Sequence, residues 1–282
     1  MPGVTAAHTL HEAAELLGVH YMTAYRYVRL GVLPASKVGG TWQVAAADLE
    51  AYRNSVVPAE PGVRRRAPWA ARLEARLVVG DSRGAWGVVE AALAAGAEID
   101  EVYLEIITPA MQSIGARWAA GELDVSVEHR ATGIAFRLIG RLGPRFARRG
   151  RTRGSVLLGA PVGERHSLPI AMLADLVRGE GWEVSDLGVD LPSESFVHAA
   201  LDTSELIAVG VSVTSTDCLP ATEQLLATLK ASLPAEVFVA VGGYAVNDLA
   251  HATALGADGW ASSARDFVEQ LSQRGSGEVL LA

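Results

Sequence analysis

Ser155-Val-Leu-Leu-Gly-Ala-Pro-Val-Gly-Glu164-Arg165-His166-Ser-Leu-Pro-Ile-Ala-Met172 is the stretch that decides the fold of this chain. An apolar, strand-like run ends in a glycine-containing turn, and a helical pattern follows. The turn delivers an acid and a histidine at the place where an open α/β sheet binds ligands, the carboxyl end of a strand. Glu164 can fix one imidazole nitrogen of His166 while the other nitrogen faces a metal or a ligand.

The C-terminal part, residues 151–282, alternates short apolar runs with amphipathic stretches, which is typical of a parallel sheet connected by helices. Strands are predicted at 155–158, 183–186, 206–213, 237–241 and 259–261. Helices are predicted at 168–180, 193–201, 219–232, 247–255 and 264–273. Helices on both faces of such a sheet make a flavodoxin-like or Rossmann-like α/β domain.

Three loops would meet at the carboxyl edge of this sheet. They hold Glu164-Arg165-His166, then Ser212, Thr214 and Ser215, then Gly242-Gly243-Tyr244. Small hydroxyls can bond a buried heterocycle, and paired glycines let a flat ligand approach the backbone closely. No full Gly-x-Gly-x-x-Gly follows the first strand, which argues against a dinucleotide.

Residues 69–150 are rich in alanine and repeat apolar residues at helical spacing. The helices are predicted at Trp69–Val79, Ala85–Ala95, Val102–Trp118 and Val127–Phe146. Short joints between them predict a four-helix bundle. Pro109 either kinks the third helix or lies near its first turn.

Residues 1–53 read as a small domain of two helices and a hairpin. His8 or Thr9 opens the first helix, Gly18 and Gly31 end the two helices, and Gly39-Gly40 turns the hairpin. A last helical turn covers 48–52. This order describes a winged helix-turn-helix, although a small helical interaction domain with aromatic core residues is the alternative. The candidate DNA-binding residues are Thr23, Tyr25, Arg26, Arg29 and Lys37.

A linker is predicted at 54–68, because three prolines and a glycine prevent regular structure there. Its Arg64-Arg65-Arg66 run either touches phosphates or is solvated. The formal net charge of −8 is concentrated in residues 151–282, which carry 7 Lys/Arg against 17 Asp/Glu. That acidity argues against nucleic acid binding by the C-terminal part.

No apolar run is long enough for a transmembrane helix, and the N-terminus lacks the pattern of a signal peptide. The single cysteine, Cys218, excludes an internal disulfide and a zinc site built from cysteines. These features predict a cytoplasmic protein that does not partner with membranes. No nucleophile–base pair stands out, so we expect no enzymatic activity and no catalytic residue.

The N-terminal segment resembles the excisionase-like branch of the MerR superfamily of DNA-binding domains. The resemblance covers about 45 residues and implies a winged helix-turn-helix fold. The matching motifs are Ala13-Ala14-x-Leu16-Leu17-Gly18-Val19, Thr23-x-x-Arg26, Gly31-x-Leu33-Pro34-Ala35 and Val38-Gly39-Gly40-x-Trp42.

The C-terminal part resembles the cobalamin-binding domain of methionine synthase and the corrinoid mutases. The matching motifs are Glu164-x-His166-x-x-Pro169, Ser212-x-Thr214 and Gly242-Gly243. The resemblance implies that His166 ligates cobalt and that Ser212, Thr214 and Gly242 line a slot for the displaced nucleotide tail. Glu replaces the commoner Asp at position 164, and Pro169 replaces a glycine; a proline is tolerated in the first helical turn.

Trp118, followed ten residues later by Glu128-His129, resembles the cap motif of cobalamin-dependent MerR-type regulators, including the CarH and LitR light sensors. The resemblance implies that Trp118 covers the upper face of the corrin and that Glu128 and His129 bond the upper axial group. In the light sensors a histidine follows the tryptophan and captures cobalt after light. Here that residue is Ala119, which cannot ligate a metal.

Together these features predict a cobalamin-binding transcriptional regulator that couples cofactor state to oligomerisation and DNA binding. Its partners would be a DNA operator and further copies of itself. Adenosylcobalamin is the first expectation for the cofactor, with methyl- and hydroxocobalamin as alternatives. The competing readings are a corrinoid carrier protein of a methyltransferase system and a regulator that has lost its cofactor.

Overall fold

The computed structural model describes residues 7–17, 19, 21–29, 33–55, 67–148 and 150–275. The chain divides into two compact units between Ala67 and Pro68. In the described ranges, no helix combines the length and the apolar character that crossing a bilayer requires.

The N-terminal unit combines helices with a small antiparallel sheet. Its elements are β1 (Ala7–Thr9), α1 (Leu10–Leu16), α2 (Tyr21–Arg29), β2 (Ser36–Val38), β3 (Thr41–Ala45) and α3 (Ala46–Ser55). The strand order is β1-β3-β2. Leu10, Ala24, Leu33 and Val44 are among the buried residues of its core.

Local sequence explains the boundaries of this unit. Thr9 begins α1 as the N-cap, and Glu12 completes a capping box by accepting from the Thr9 amide at 2.8 Å. Gly39 and Gly40 turn the hairpin with φ of +56° and +87°, which glycine adopts without strain.

Three details of the N-terminal unit differ from expectation or fall outside the structure. Strand β1 was not predicted, because three residues without alternation carry no strand signal and form a strand only by pairing with β3. Helix α3 continues two residues past the predicted domain end at 53, since no proline or glycine interrupts it. The predicted helix ends Gly18 and Gly31, and the run Arg64–Arg66, lie outside the described residues.

The second unit begins with a helical region. Its elements are α4 (Trp69–Val79), α5 (Ser82–Ala94), α6 (Ile99–Glu101), a π-helical segment (Val102–Ile107), α7 (Thr108–Ala119), α8 (Val125–Leu142) and a 3-10 turn (Gly143–Phe146). Leu73, Val89, Ile114 and Leu138 are among the residues that form its apolar core.

The predicted third helix, 102–118, is not uniform. Its first part is π-helical, and regular α-helix starts at Thr108 with Pro109 in the first turn. Proline has no N–H to donate to the preceding turn, and here it lies directly after the segment with i→i+5 bonding, in the first turn of α7. The Tyr103 carbonyl accepts from both the Thr108 amide and the Thr108 hydroxyl, the latter at 2.9 Å.

The rest of the unit is a five-stranded parallel sheet flanked by helices, as predicted. The strands are β4 (Ser155–Gly159), β5 (Glu183–Asp186), β6 (Leu206–Ser212), β7 (Phe238–Gly242) and β8 (Gly259–Ala261). The helices are α9 (Ser167–Gly179), α10 (Ser193–Asp202), a 3-10 turn (Thr216–Cys218), α11 (Leu219–Ser232), α12 (Leu249–Ala254) and α13 (Ala264–Gly275). The order β5-β4-β6-β7-β8 is that of flavodoxin-like sheets.

Helix α9 joins the two parts of this unit. Its residues Leu168, Met172 and Leu176 belong to the apolar core of the helical region, while Ile170 and Val177 belong to a core against the sheet. Pro169 lies in its first turn and the helix is intact, as expected. Because α9 starts directly after His166, it connects the helical region to the predicted site.

Candidate functional site

The strand order reverses at β4, which has β5 on one side and β6 on the other. Connections leave in opposite directions at such a point, and the crevice between the carboxyl ends of the two strands is where doubly wound sheets bind ligands. The loop after β4 holds Glu164 and His166, and the loop after β6 holds Thr214 and Ser215. The predicted loops therefore meet at the switch point of the sheet.

Glu164 is the buried centre of this crevice, with none of its side chain exposed. One carboxylate oxygen accepts from the amides of Arg165 at 2.9 Å and His166 at 3.0 Å. The other accepts from the amides of Thr214 at 2.7 Å and Ser215 at 2.9 Å. The carboxylate thus ties the β4 loop to the β6 loop.

His166 is held by the same carboxylate. Its Nδ1 lies 2.5 Å from Glu164 Oε1, and about half of the side chain, 53%, is exposed. Within the described residues Nε2 has no hydrogen-bond partner. One nitrogen of the ring is fixed and the other is free to bind a metal from the solvent side.

The electrostatics favour charge on both partners. Burial alone would raise the pKa of Glu164, but the hydrogen bonds from His166 and from the amides of Ser215, His166 and Thr214 outweigh it and bring the pKa to about 2. The hydrogen bond to Glu164 raises the pKa of His166 against the effect of burial, and the charges of Glu164 and Glu128 add to the rise. The neighbouring carboxylates favour a proton on the free Nε2 of His166. A metal bound at Nε2 would replace that proton.

The second and third loops lie beside this pair. Ser212 is the register partner of Gly242, and the Val213 amide donates to the Gly242 carbonyl at 2.8 Å. Gly243 has φ +110°, and a Cβ there would lie 2.3 Å from the Val213 carbonyl oxygen. The backbone therefore requires glycine at this position, which is a different reason from the close ligand approach that the sequence predicted.

The predicted cap residues lie at adjacent helix ends. Trp118, near the end of α7, keeps 46% of its surface exposed, and Ala119 after it is exposed. Glu128, in the first turn of α8, accepts from Thr132 at 2.7 Å and lies 2.6 Å from His129 Nδ1. The charge of Glu128 contributes to the raised pKa of His166, so the first turn of α8 lies near the switch point.

These residues fit a corrin. His166 offers one free nitrogen, and the exposed apolar side chains include Val162 and Tyr244 in loops of the sheet part and Trp118 in the helical region. Among the described residues, no cluster of three or more His, Cys, Asp or Glu could hold a metal ion by itself. A single imidazole suits a metal that a macrocycle already holds, and bound cobalamin would supply cobalt–carbon or methyl-transfer chemistry.

The predicted DNA-binding residues lie in the N-terminal unit. Thr23, Arg26 and Arg29 are on α2, and their side chains lie outside the described part. Tyr25 packs against the core of the unit and stacks on Tyr21. Lys37 is exposed at the hairpin, with its ammonium 5.9 Å from the centre of the Trp42 ring.

Several site contacts have no sequence signal. The backbone amides of Thr214 and Ser215 donate to Glu164, a contact that the sequence did not predict. Asp190 accepts from the Gly163 amide at 2.8 Å and itself has φ +57°, which supports the β4 loop from a neighbouring turn. The contact of Asp190 with the β4 loop could have been suggested by one sequence signal, since aspartate is favoured in turns.

Comparison with known families agrees with this geometry. Residues 154–270 and 69–142 match two family models that are both described as B12 binding domain. Residues 9–56 match a helix-turn-helix domain. The matches cover the sheet, the helical region and the N-terminal unit in turn.

The similar individual proteins are named corrinoid proteins. A corrinoid protein of Desulfitobacterium hafniense is 29% identical over 167 residues, 56% of this chain and 75% of its own length. Trimethylamine corrinoid protein 1 of Methanosarcina acetivorans is 29% identical over 195 residues, 65% of this chain and 86% of its own. The structure of the Methanosarcina barkeri monomethylamine corrinoid protein superposes with a TM-score of 0.64 at 21% identity, over 71% of this chain and 95% of that one, and shares the fold. Together the matches support a cobalamin-binding protein with an N-terminal helix-turn-helix domain.

Proposed function

We propose that the chain is a transcriptional regulator whose DNA binding responds to bound cobalamin. One observation carries the proposal, the presence of a helix-turn-helix domain and B12-binding domains in one chain. A carrier of methyl groups needs no DNA-binding domain. The proposal assigns no catalytic residue to the chain.

In this proposal His166 ligates cobalt through Nε2, and Glu164 orients the ring through Nδ1. Ser212, Thr214, Gly242 and Gly243 line the slot for the nucleotide tail, and Arg165 lies exposed at its entrance. Trp118, Glu128 and His129 cover the upper face. The cofactor would thus lie between the switch point of the sheet and the ends of α7 and α8.

The N-terminal unit would read DNA with α2 and the β2–β3 hairpin as a wing, through Thr23, Tyr25, Arg26, Arg29 and Lys37. A single small domain binds few base pairs, so specific binding requires two or more such domains per operator. We therefore propose a homo-oligomer in at least one cofactor state. Cofactor binding would change how the helical region packs on the sheet, and so which oligomer presents the domains to DNA.

A gel-shift titration with the promoter of its own operon tests the proposal. We expect the apparent Kd for this DNA to change at least about tenfold when cobalamin is added, which equals a coupling of ~1.4 kcal/mol. Arg26→Ala should weaken binding by ~10-fold or more. His166→Ala should bind the same DNA without any response to cobalamin. Failure of the full chain to distinguish this promoter from unrelated DNA in either cofactor state would contradict the proposal.

The relatives favour a second candidate, a corrinoid carrier of a methyltransferase system. Both curated relatives described above are named corrinoid proteins. A carrier would bind cobalamin at the same residues and form a complex with a methyltransferase. Transfer of a methyl group to the bound cofactor by such an enzyme, with no promoter-specific DNA binding, would establish this function instead.

Ala119 sets the expected response to light. Alanine has no ligand atom, so we expect that the adenosylcobalamin complex gives no bis-histidine product through this position on anaerobic illumination. Ala119 is exposed at the end of α7, so Ala119→His should be tolerated and should give a bis-histidine absorption spectrum after illumination. Ala119→Leu is the control of similar bulk. A bis-histidine product already present in the unmodified protein and lost in Ala119→Leu, but kept in His129→Ala, would contradict this expectation.

A further inference from the structure

The helical region and the sheet meet along α8 and α9, which run in the same direction. At one end, Phe146 follows α8 and approaches Gly179 at the end of α9, and Gly143 lies beside Asp175. At the other end, Glu128 in the first turn of α8 acts electrostatically on His166, the N-cap of α9. Glu128 and His166 of the proposed cofactor site therefore lie at the amino ends of α8 and α9.

The polar contacts between the two parts are at the opposite end. The Tyr103 hydroxyl donates to Asp175 Oδ2 at 2.8 Å and lies 3.3 Å from the Ile139 carbonyl oxygen. Tyr103 is fully buried, and Arg178 holds the other oxygen of Asp175 at 3.1 Å. Burial, with the hydrogen bond to Asp175 and its charge, raises the pKa of Tyr103, so the hydroxyl keeps its proton.

Two further ion pairs link the parts within the described residues, and both are exposed. Arg265 lies 3.3 Å from Asp100, and Arg148 lies 4.0 Å from Glu180. Exposed pairs of this kind contribute little to stability. Compared with these two ion pairs, the Tyr103–Asp175 bond is the more buried polar contact, with the tyrosine buried and the carboxylate 15% exposed.

A cleft of about 340 Å³ lies next to this bond. Both ion pairs line it, together with Phe146, Leu176, Gly179 and Val268. Phe146 packs against Tyr103 with ring centres 4.8 Å apart, so the cleft begins one side chain away from the hydroxyl. The cleft is open space between residues of the helical region, such as Phe146, and residues of α9 and α13, such as Leu176 and Val268.

We propose that the Tyr103–Asp175 hydrogen bond is the pivot on which the helical region tilts to admit cobalamin between Glu128 and His166. The inference rests on the cobalamin site of the proposed function and not on DNA binding. Apolar contacts along α8 and α9 have no preferred direction and can be remade after a small tilt. A hydrogen bond to a charged group, by contrast, holds two atoms at a fixed distance and direction. Tyr103 is therefore a positioning residue for the cap residues Trp118, Glu128 and His129.

Hydrogen–deuterium exchange of the full chain without cobalamin tests the pivot. Tyr103→Phe keeps the ring and removes the hydroxyl. We expect the amides of residues 118–132 to exchange about tenfold faster in Tyr103→Phe, in line with the loss of a hydrogen bond to a charged group. Asp175→Asn keeps an acceptor oxygen and should retain the slow exchange, whereas Asp175→Leu should behave like Tyr103→Phe.

Ser155→Ala is the matched control, since it removes a buried hydroxyl that donates to the Ser204 carbonyl at 2.7 Å within the sheet part. It should leave the exchange of 118–132 unchanged. Two outcomes would overturn the pivot. One is that the exchange of residues 118–132 is accelerated equally in Ser155→Ala and Tyr103→Phe. The other is that it is not accelerated in Tyr103→Phe and Asp175→Leu.

Cobalamin binding gives a second readout. Hydroxocobalamin should associate with and dissociate from Tyr103→Phe about tenfold faster than from the unmodified chain, while the absorption spectrum of the bound cofactor stays the same. Faster rates with an altered spectrum would mean that the hydroxyl acts through His166, and would overturn the assignment. These measurements contain no DNA, so a chain that failed to bind its promoter would leave them valid.

Discussion

Replacement of His166 by alanine is expected to give a folded protein that no longer retains cobalamin. About half of the side chain is exposed, so its removal leaves no buried cavity. Glu164 keeps four amide donors, so its carboxylate stays satisfied. Loss of the proposed cobalt ligand should weaken binding by at least ~100-fold, since even residues that merely orient a metal ligand are worth 10–100-fold.

The measurement is the absorption spectrum after incubation with hydroxocobalamin and desalting, alongside thermal unfolding. His198→Ala is the matched control, because His198 is exposed on α10. It should bind cobalamin like the unmodified chain. Equal retention of cobalamin by His166→Ala and His198→Ala would exclude His166 as the ligand that holds the cofactor.

Glu164→Ala is expected to destabilise the second unit and to abolish cobalamin binding as well. Four backbone amides and one imidazole nitrogen lose a buried charged acceptor, which leaves unsatisfied donors in the crevice. The expected loss is on the order of 3 kcal/mol at neutral pH, from a fall in pKa from 4.5 to about 2 at ~1.4 kcal/mol per unit.

The pH dependence identifies the carboxylate as the cause. A pKa of about 2 in the folded protein, below the ordinary value of 4.5, means that ionised Glu164 stabilises the fold above pH 4.5 and that this contribution is lost as the pH falls towards 2. The stability difference between the unmodified chain and Glu164→Ala should therefore shrink in acid as the carboxylate is protonated, and it should also decline as the pH rises through the raised pKa of His166, because that rise depends on Glu164. Urea unfolding at several pH values measures it. A difference that does not change with pH would show that the carboxylate charge is not involved.

The fold of the second unit could be predicted largely from sequence. Continuous apolar runs such as Val156–Leu158 and Val239–Val241 occur in strands that are covered on both faces, and the glycines after them end the strands. Strand β1 and the π-helical segment could not be predicted in this way. The first depends on pairing with β3, and the second on hydrogen bonds within one turn that a periodic pattern does not encode.

The sequence predicts the contacts of the site that are made by side chains, but not those that are made by backbone amides. The spacing of Glu164 and His166 indicated a carboxylate–imidazole pair, and their 2.5 Å contact has that form. The partners of the second carboxylate oxygen are backbone amides of Thr214 and Ser215, which every residue type except proline could supply. Tyr103 and Asp175 are 72 residues apart, and only the packing of α8 on α9 brings them together.

Electron paramagnetic resonance of the cob(II)alamin complex tests most directly whether His166 binds the cofactor as the lower ligand. An axial nitrogen couples to the unpaired electron of cobalt, giving a triplet for nitrogen-14 and a doublet for nitrogen-15. Protein labelled with nitrogen-15 only in histidine, loaded with unlabelled cobalamin, should give the doublet, and His198→Ala should give it too. A triplet from the labelled protein would mean that the cofactor's own base remains on cobalt, and would contradict the account.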